Sequence, residues 1–122
     1  MATQRACTFC LIADGQAPAV VVRRWEDRGI LAILPLNPVT DGHVLVLPAA
    51  HVEDAGADQD LAARTMACAS ELLADHDAGN IITSKGEAAT QSVGHLHLHV
   101  IPRRRGDDLP LPWTPQQAPA DT

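Results

Sequence analysis

The order of apolar runs along this chain predicts an α+β fold: a mainly antiparallel five-stranded sheet with one long helix on one face. Three observations carry that expectation. Short aliphatic and β-branched runs recur between Gly, Pro, Asn and Asp turn signals, a single window has helical period, and the resulting order is β-β-β-α-β-β.

The runs at residues 19–25, 30–34 and 43–47 are predicted strands, the third closed by Pro48. Between 57 and 76, Leu61, Met66, Ala69, Leu72 and Leu73 recur at helical spacing, with Asp58 placed to cap the helix and the Gly79-Asn80 pair placed to stop it. Residues 80–84 and 96–101 complete the sheet, joined by the polar loop 85–92. The domain is expected over residues 1–109. A tail, 110–122, follows it, and Pro110, Pro112, Pro115 and Pro119 there resist regular structure.

With 122 residues the chain can form one core, burying roughly two-thirds of its unfolded surface. That core must be aliphatic, since Phe9, Trp25 and Trp113 are the only aromatic residues, and no base-stacking platform for single-stranded nucleic acid is present. A net charge of −6 argues against a broad footprint on nucleic acid or an anionic membrane, while leaving room for a local site for a small anion. Residues 1–18 contain no apolar stretch of signal-peptide length, and no window reaches the roughly 18 apolar residues of a membrane span, so the expected address is the cytoplasm. Three cysteines make no disulfide framework. Cys7-Thr8-Phe9-Cys10 has metal-binding or redox spacing, and Cys68, inside the predicted helix, reads as a small buried apolar residue.

The most unusual segment is Gly94-His95-Leu96-His97-Leu98-His99-Val100. In a strand, side chains alternate, so the three histidines share one face while Leu96, Leu98 and Val100 share the other. Three imidazoles in a row are costly as structure, because each polar ring needs partners. Two chemistries use such a strand: a His-x-His pair can hold a metal ion with a third ligand and an open position for water, or one neutral imidazole can act as nucleophile between orienting neighbours. Spacing alone leaves both open.

The longer stretch Gln91-Ser92-Val93-Gly94-His95-Leu96-His97-Leu98-His99-Val100-Ile101 resembles the histidine-triad (HIT) family, whose motif is His-φ-His-φ-His-φ-φ, with φ apolar, preceded by Gln-Ser-Val or Gln-Thr-Val. The likeness extends upstream through Gly42-His43-Val44-Leu45-Val46-Leu47-Pro48 to His51, and with the amino-terminal Cys-x-x-Cys it covers roughly residues 7–105. It implies a homodimeric nucleotide hydrolase or nucleotidyl transferase. Such an enzyme cleaves a nucleoside 5′-phosphoryl bond, as in phosphoramidates or dinucleoside polyphosphates, through a covalent nucleotidyl-histidine and without a catalytic metal.

By position, the resemblance makes His97 the nucleophile, His99 its support and a phosphate contact, and His43 a further active-site histidine. Gln91 and Ser92 match the pair that meets phosphate oxygens or the leaving group. Cys7, Cys10, His51 and His95 match a structural zinc set, which outweighs the redox reading of a Cys-x-x-Cys that precedes every predicted strand. Pro35 stands where many relatives hold the ribose with Asp or Asn, making Asn37 the candidate ribose contact, and Ser84 stands where the nucleotide-binding branch has Asn. Two rivals use the same residues: a nucleotide-binding module without turnover, and a metal-dependent hydrolase built on the three histidines. Arg103-Arg104-Arg105 reads as a solvated turn or an anion contact, His76 as a surface residue at the helix end, and Trp113 as a cover for the site or a packed residue.

Overall fold

The computed structural model describes residues 7–114. Helix α1 spans Thr8–Ala13, followed by strands β1 (Val21–Trp25), β2 (Ile30–Ile33) and β3 (Val44–Pro48), helix α2 (Gln59–Leu73), and strands β4 (Gly79–Ile82) and β5 (Leu98–Pro102). All neighbouring strands are antiparallel, in the order β1-β2-β3-β5-β4. The predicted class and the five strands are therefore found, with β5 inserted between β3 and β4.

Helix α2 begins where Asp58 was expected to cap it, the carboxylate accepting from Leu61 N–H at 2.9 Å. It ends at Leu73, earlier than the pattern suggested. Gly79 belongs to β4 instead of stopping the helix: a Cβ there would lie 3.0 Å from the Ile101 carbonyl oxygen of β5 and 2.8 Å from Leu73 Cδ1, so a side chain would crowd the ladder and displace the Leu73 side chain. Met66 is 42% exposed. The buried stripe runs through Leu61, Thr65, Cys68 and Ala69, and the Thr65 hydroxyl is satisfied by donating to the Leu61 carbonyl at 2.8 Å. Cys68 is buried, as the sequence suggested.

Helix α1 was not anticipated. Six residues are too few to show a period, and its start is set by Cys7, whose sulfur accepts from Cys10 N–H at 3.4 Å. It lies over the sheet face opposite α2. Trp25, Ile30, Ala32, Val46, Leu96, Leu98 and Val100 pack towards α2, whereas Leu31, Ile33, Leu45 and Leu47 pack with Phe9, Cys10 and Ile12 of α1. The alternation predicted for the histidine segment is thus realised, its leucines and valine facing the larger core.

Beyond β5 the three arginines separate. Arg103 is a structural clamp, donating to both Asp107 carboxylate oxygens, to Asn80 Oδ1 at 2.8 Å and to the Leu109 carbonyl at 2.6 Å. Arg104 reaches Thr40 Oγ1 at 2.9 Å, and Arg105 is exposed. Trp113 is exposed near the described end, while Pro115 and Pro119, which helped mark the tail, lie outside the described residues.

Replacing Gly79 with Ala crowds the Ile101 carbonyl and displaces the Leu73 side chain, and is expected to lower stability by about 1–3 kcal/mol, the usual cost of overpacking. Urea unfolding of the two proteins, compared by midpoint at unchanged slope, measures this.

Candidate active site and metal centre

The regular strand begins at Leu98, so His95 and His97 sit on the segment that leads into it, His95 in a bend. That approach is pinned by Leu96 N–H donating to the Val52 carbonyl at 2.7 Å and by the Thr83 hydroxyl donating to the His97 carbonyl at 2.8 Å. His99 lies between Leu45 of β3 and Ile82 of β4 in the ladder.

Partner chemistry assigns the protons of the neutral rings. His97 Nδ1 lies 2.8 Å from the His95 carbonyl oxygen. A carbonyl only accepts, so Nδ1 carries the hydrogen and the lone pair of neutral His97 is on Nε2. His43 Nδ1 accepts from the Val39 backbone N–H at 3.1 Å, which leaves its hydrogen on Nε2, facing His99 Nδ1 at 3.0 Å. His99 Nδ1 therefore accepts, and His99 Nε2 bears a hydrogen. Rings 97 and 99 stand 5.2 Å apart, as do rings 43 and 99. The arrangement offers one nitrogen lone pair, on His97, beside one N–H donor, on His99: a nucleophile and an anion contact side by side.

Burial favours the neutral rings of His43 and His99. It lowers the pKa of His43, and it pushes His99 down to about 4, with the neighbouring His97 and His43 adding to the effect.

Phe9 of α1 stands edge-on to His97, ring centroids 5.0 Å apart, and to His95 at 5.8 Å. Sequence reasoning passed over Phe9 and Thr83. The available signals were the position of Phe9 between two cysteines and that of Thr83 just past the strand pairing with His99.

The second cluster joins Cys7, Cys10, His51 and His95, whose donor atoms all lie within 4.8 Å of one another. His95 Nε2 donates to the Pro48 carbonyl at 2.8 Å, so its Nδ1 lone pair faces Cys7 Sγ at 3.3 Å and Cys10 Sγ at 3.5 Å, and Cys10 Sγ lies 3.3 Å from His51 Nδ1. Zn–S bonds of about 2.3 Å and Zn–N bonds of about 2.0–2.1 Å at tetrahedral angles put neighbouring S and N atoms about 3.6 Å apart, so the set fits a closed tetrahedral metal site. The backbone carbonyl behind His95 is the outer partner such ligands use. The Cys-x-x-Cys does open a helix, as a redox pair would, but it faces two imidazoles. Burial raises the Cys7 pKa, which a bound cation would reverse.

Gln91 is occupied by the protein itself. Its amide nitrogen donates to the Glu53 carbonyl at 2.7 Å and the Val93 carbonyl at 3.0 Å, and its oxygen accepts from Gly86 N–H at 2.8 Å. Ser92 is exposed and lines a cavity of about 310 Å³ shared with Cys7, His51 and Glu53. Asn37 is exposed on the β2–β3 connection, next to Leu36, which is 98% exposed. Ser84 is half-buried beyond β4.

With this geometry in view, the comparisons with known proteins agree. The HIT domain family matches residues 14–106. An uncharacterized HIT-like protein of Mycobacterium tuberculosis is 44% identical over 110 residues, 84% of this chain and 75% of that protein. A Zn-bound histidine triad family protein from Mycobacterium smegmatis superposes with a TM-score of 0.75 at 37% identity, covering 87% of this chain and 81% of the other. The adenylylsulfatase HINT3 of Arabidopsis thaliana is 31% identical over 113 residues, 87% of this chain and 56% of that longer protein. The chain belongs to the HIT family. Among the described residues no helix is long and apolar enough to cross a membrane.

Because His99 resists protonation when folded, the unfolded chain binds more protons between pH of about 6.5 and 4, and the contribution of the neutral ring is lost as pH falls through that window. The thermal midpoint of the wild type should therefore fall more steeply from pH 7 to 4.5 than that of His99→Asn. Scanning calorimetry of both proteins across the range checks the difference in slope.

Proposed function

We propose that this protein hydrolyses, or transfers the nucleotidyl group from, a compound with a leaving group on a nucleoside 5′-phosphoryl group, using His97 as nucleophile. One observation carries the reading: the His97 Nδ1–H bond to the His95 carbonyl puts the free lone pair on Nε2, beside the N–H of His99.

In the first step the Nε2 lone pair attacks the α-phosphorus. The bond to the leaving group breaks, and that group departs with a proton, which Ser92 or water supplies. His99 Nε2–H donates to a phosphoryl oxygen as charge builds there, and His43 holds His99 in the donating tautomer. Water then attacks the phosphorus of the nucleotidyl-histidine and passes its proton to the Ser92 or solvent that protonated the leaving group, while the electron pair of the P–N bond returns to His97. Phe9 keeps the His97 ring from turning. Gln91 contributes through the backbone it ties, presenting Ser92, and Asn37 is the candidate ribose contact on the exposed β2–β3 loop.

The chemistry of the HINT3 relative, an adenylylsulfatase, supports a 5′-adenylyl group with a good leaving group as the substrate class. A three-histidine metal hydrolase is less well supported. Among the described residues the one group of three or more converging His, Cys, Asp or Glu donors is Cys7, Cys10, His51 and His95, and it omits His97 and His99. We assign zinc to that group as a structural ion, in line with the Zn-bound neighbour. It would join α1 to the segment that carries His97.

Replacing His97 with Gly should lower turnover of an adenylyl substrate at least about a hundredfold while nucleotide affinity stays within about tenfold, since attack rests on one nitrogen and binding on several contacts. A chiral α-phosphorothioate substrate should be processed with overall retention, and acid quench should trap nucleotide on the peptide containing His97. Net inversion would replace this mechanism with a single attack by water, and binding without any turnover would make the protein a nucleotide-binding module.

For the metal, one zinc per wild-type chain is expected by elemental analysis. Cys10→Ala should lose it, with a lower thermal midpoint, because the ion binds the folded state. Equal zinc in both proteins would refute the ligand set.

A further inference from the structure

The four-residue metal cluster is sealed on three sides. Cys10, His95 and Cys7 are 1%, 0% and 9% exposed, whereas His51 is only half-buried. His51 and Cys7 line the cavity of about 310 Å³ together with Glu53 and Gly94. A water takes up about 30 Å³ of liquid, so a cavity of this size admits a partly hydrated ion. A second cavity, of about 330 Å³, reaches the cluster only at Cys10, its most enclosed sulfur ligand.

Glu53 is built into this opening. His51 is half-buried, Val52 buried and Glu53 exposed, and His51 and Glu53 line the same cavity. The Glu53 carboxylate rests against Gly94, the residue before His95: a Cβ at Gly94 would lie 3.0 Å from Glu53 Oε1 and 3.6 Å from Oε2. The Gln91 amide ties the Glu53 and Val93 carbonyls together at 2.7 and 3.0 Å, fixing the backbone of both segments. Among the described residues the carboxylate itself has no hydrogen-bond or ion-pair partner.

A closed Cys₂His₂ set leaves zinc no open position, so exchange needs an incoming donor to occupy a coordination position as one ligand lets go. Carboxylate oxygen is such a donor. We infer that Glu53 is the transfer ligand of this centre: as His51 releases the ion, a Glu53 carboxylate oxygen binds it and passes it between the four-ligand set and the solvent-filled cavity. The lack of a side chain at Gly94 gives the carboxylate its path. This inference rests on the assignment of zinc to Cys7, Cys10, His51 and His95 made above.

The test uses the full chain in its zinc-loaded form, mixed with excess chromophoric chelator to follow release, and the stripped chain mixed with zinc to follow loading. Glu53→Gln keeps the size of the side chain and removes the anionic donor. Release and loading should both slow about tenfold with equilibrium affinity unchanged within about threefold, because a transfer ligand alters the barrier and not the end states. Gly94→Ala, which takes the space of the carboxylate, should slow both rates as well. Unchanged rates in Glu53→Gln overturn the inference. So does faster release with a 10–100-fold loss of affinity, the usual mark of a group that supports a ligand from behind. A wild-type chain that holds no zinc overturns the centre itself, and is told apart because it yields no ion to the chelator.

Discussion

The structure turns on His95. Its Nε2–H is held by the Pro48 carbonyl at the end of β3, its Nδ1 faces two sulfurs from α1, and its own carbonyl fixes the Nδ1–H of His97. One residue thus joins the sheet, the amino-terminal helix and the ring proposed to attack phosphorus. A change at position 95 would act on metal affinity, on the seat of α1 and on the tautomer of His97 together, so these effects should not add as independent terms.

The two faces of the sheet divide the work. Leu96, Leu98 and Val100 pack with α2 in an aliphatic core that asks little of any single residue, and the histidines interleaved with them face α1. The polar rings are tolerated because each is paired: no buried side-chain nitrogen or oxygen among the described residues lacks a hydrogen-bond partner. The same pairing orders the rings, so the site's donors and acceptors are set before any substrate arrives, which is the condition under which electrostatic stabilisation is effective.

Much of this was legible in the sequence, for a physical reason. Strand alternation sorts the histidines from the leucines without knowledge of the partners, and the spacing of the cysteines with His51 and His95 marks a tetrahedral donor set once the family pattern is noticed. Other features depend on contacts distant in sequence. Helix α1 has too few residues to show a period and is stabilised by Cys7 and by the face it covers. The late start of β5 at Leu98 reflects hydrogen bonds from Leu96 to Val52 and from Thr83 to His97, which no local pattern encodes. The proton positions on the rings follow from carbonyl, amide and imidazole partners 2 to 56 residues away. The backbone ties made by Gln91, whose amide joins the Glu53 and Val93 carbonyls, are likewise invisible in the sequence, where the motif marks it only as a ligand contact.

The donor that orients His43 is the main-chain N–H of Val39, not a side chain. A backbone amide persists through every substitution except proline, so the order of hydrogens running from residue 39 through His43 to His99 is insulated from sequence drift in the β2–β3 connection. Positions 35 to 37, where this chain carries Pro, Leu and Asn, can change while the proton arrangement behind them stays constant. The loop can therefore vary in sequence, with its one fixed chemical obligation carried by an atom that almost no mutation can remove.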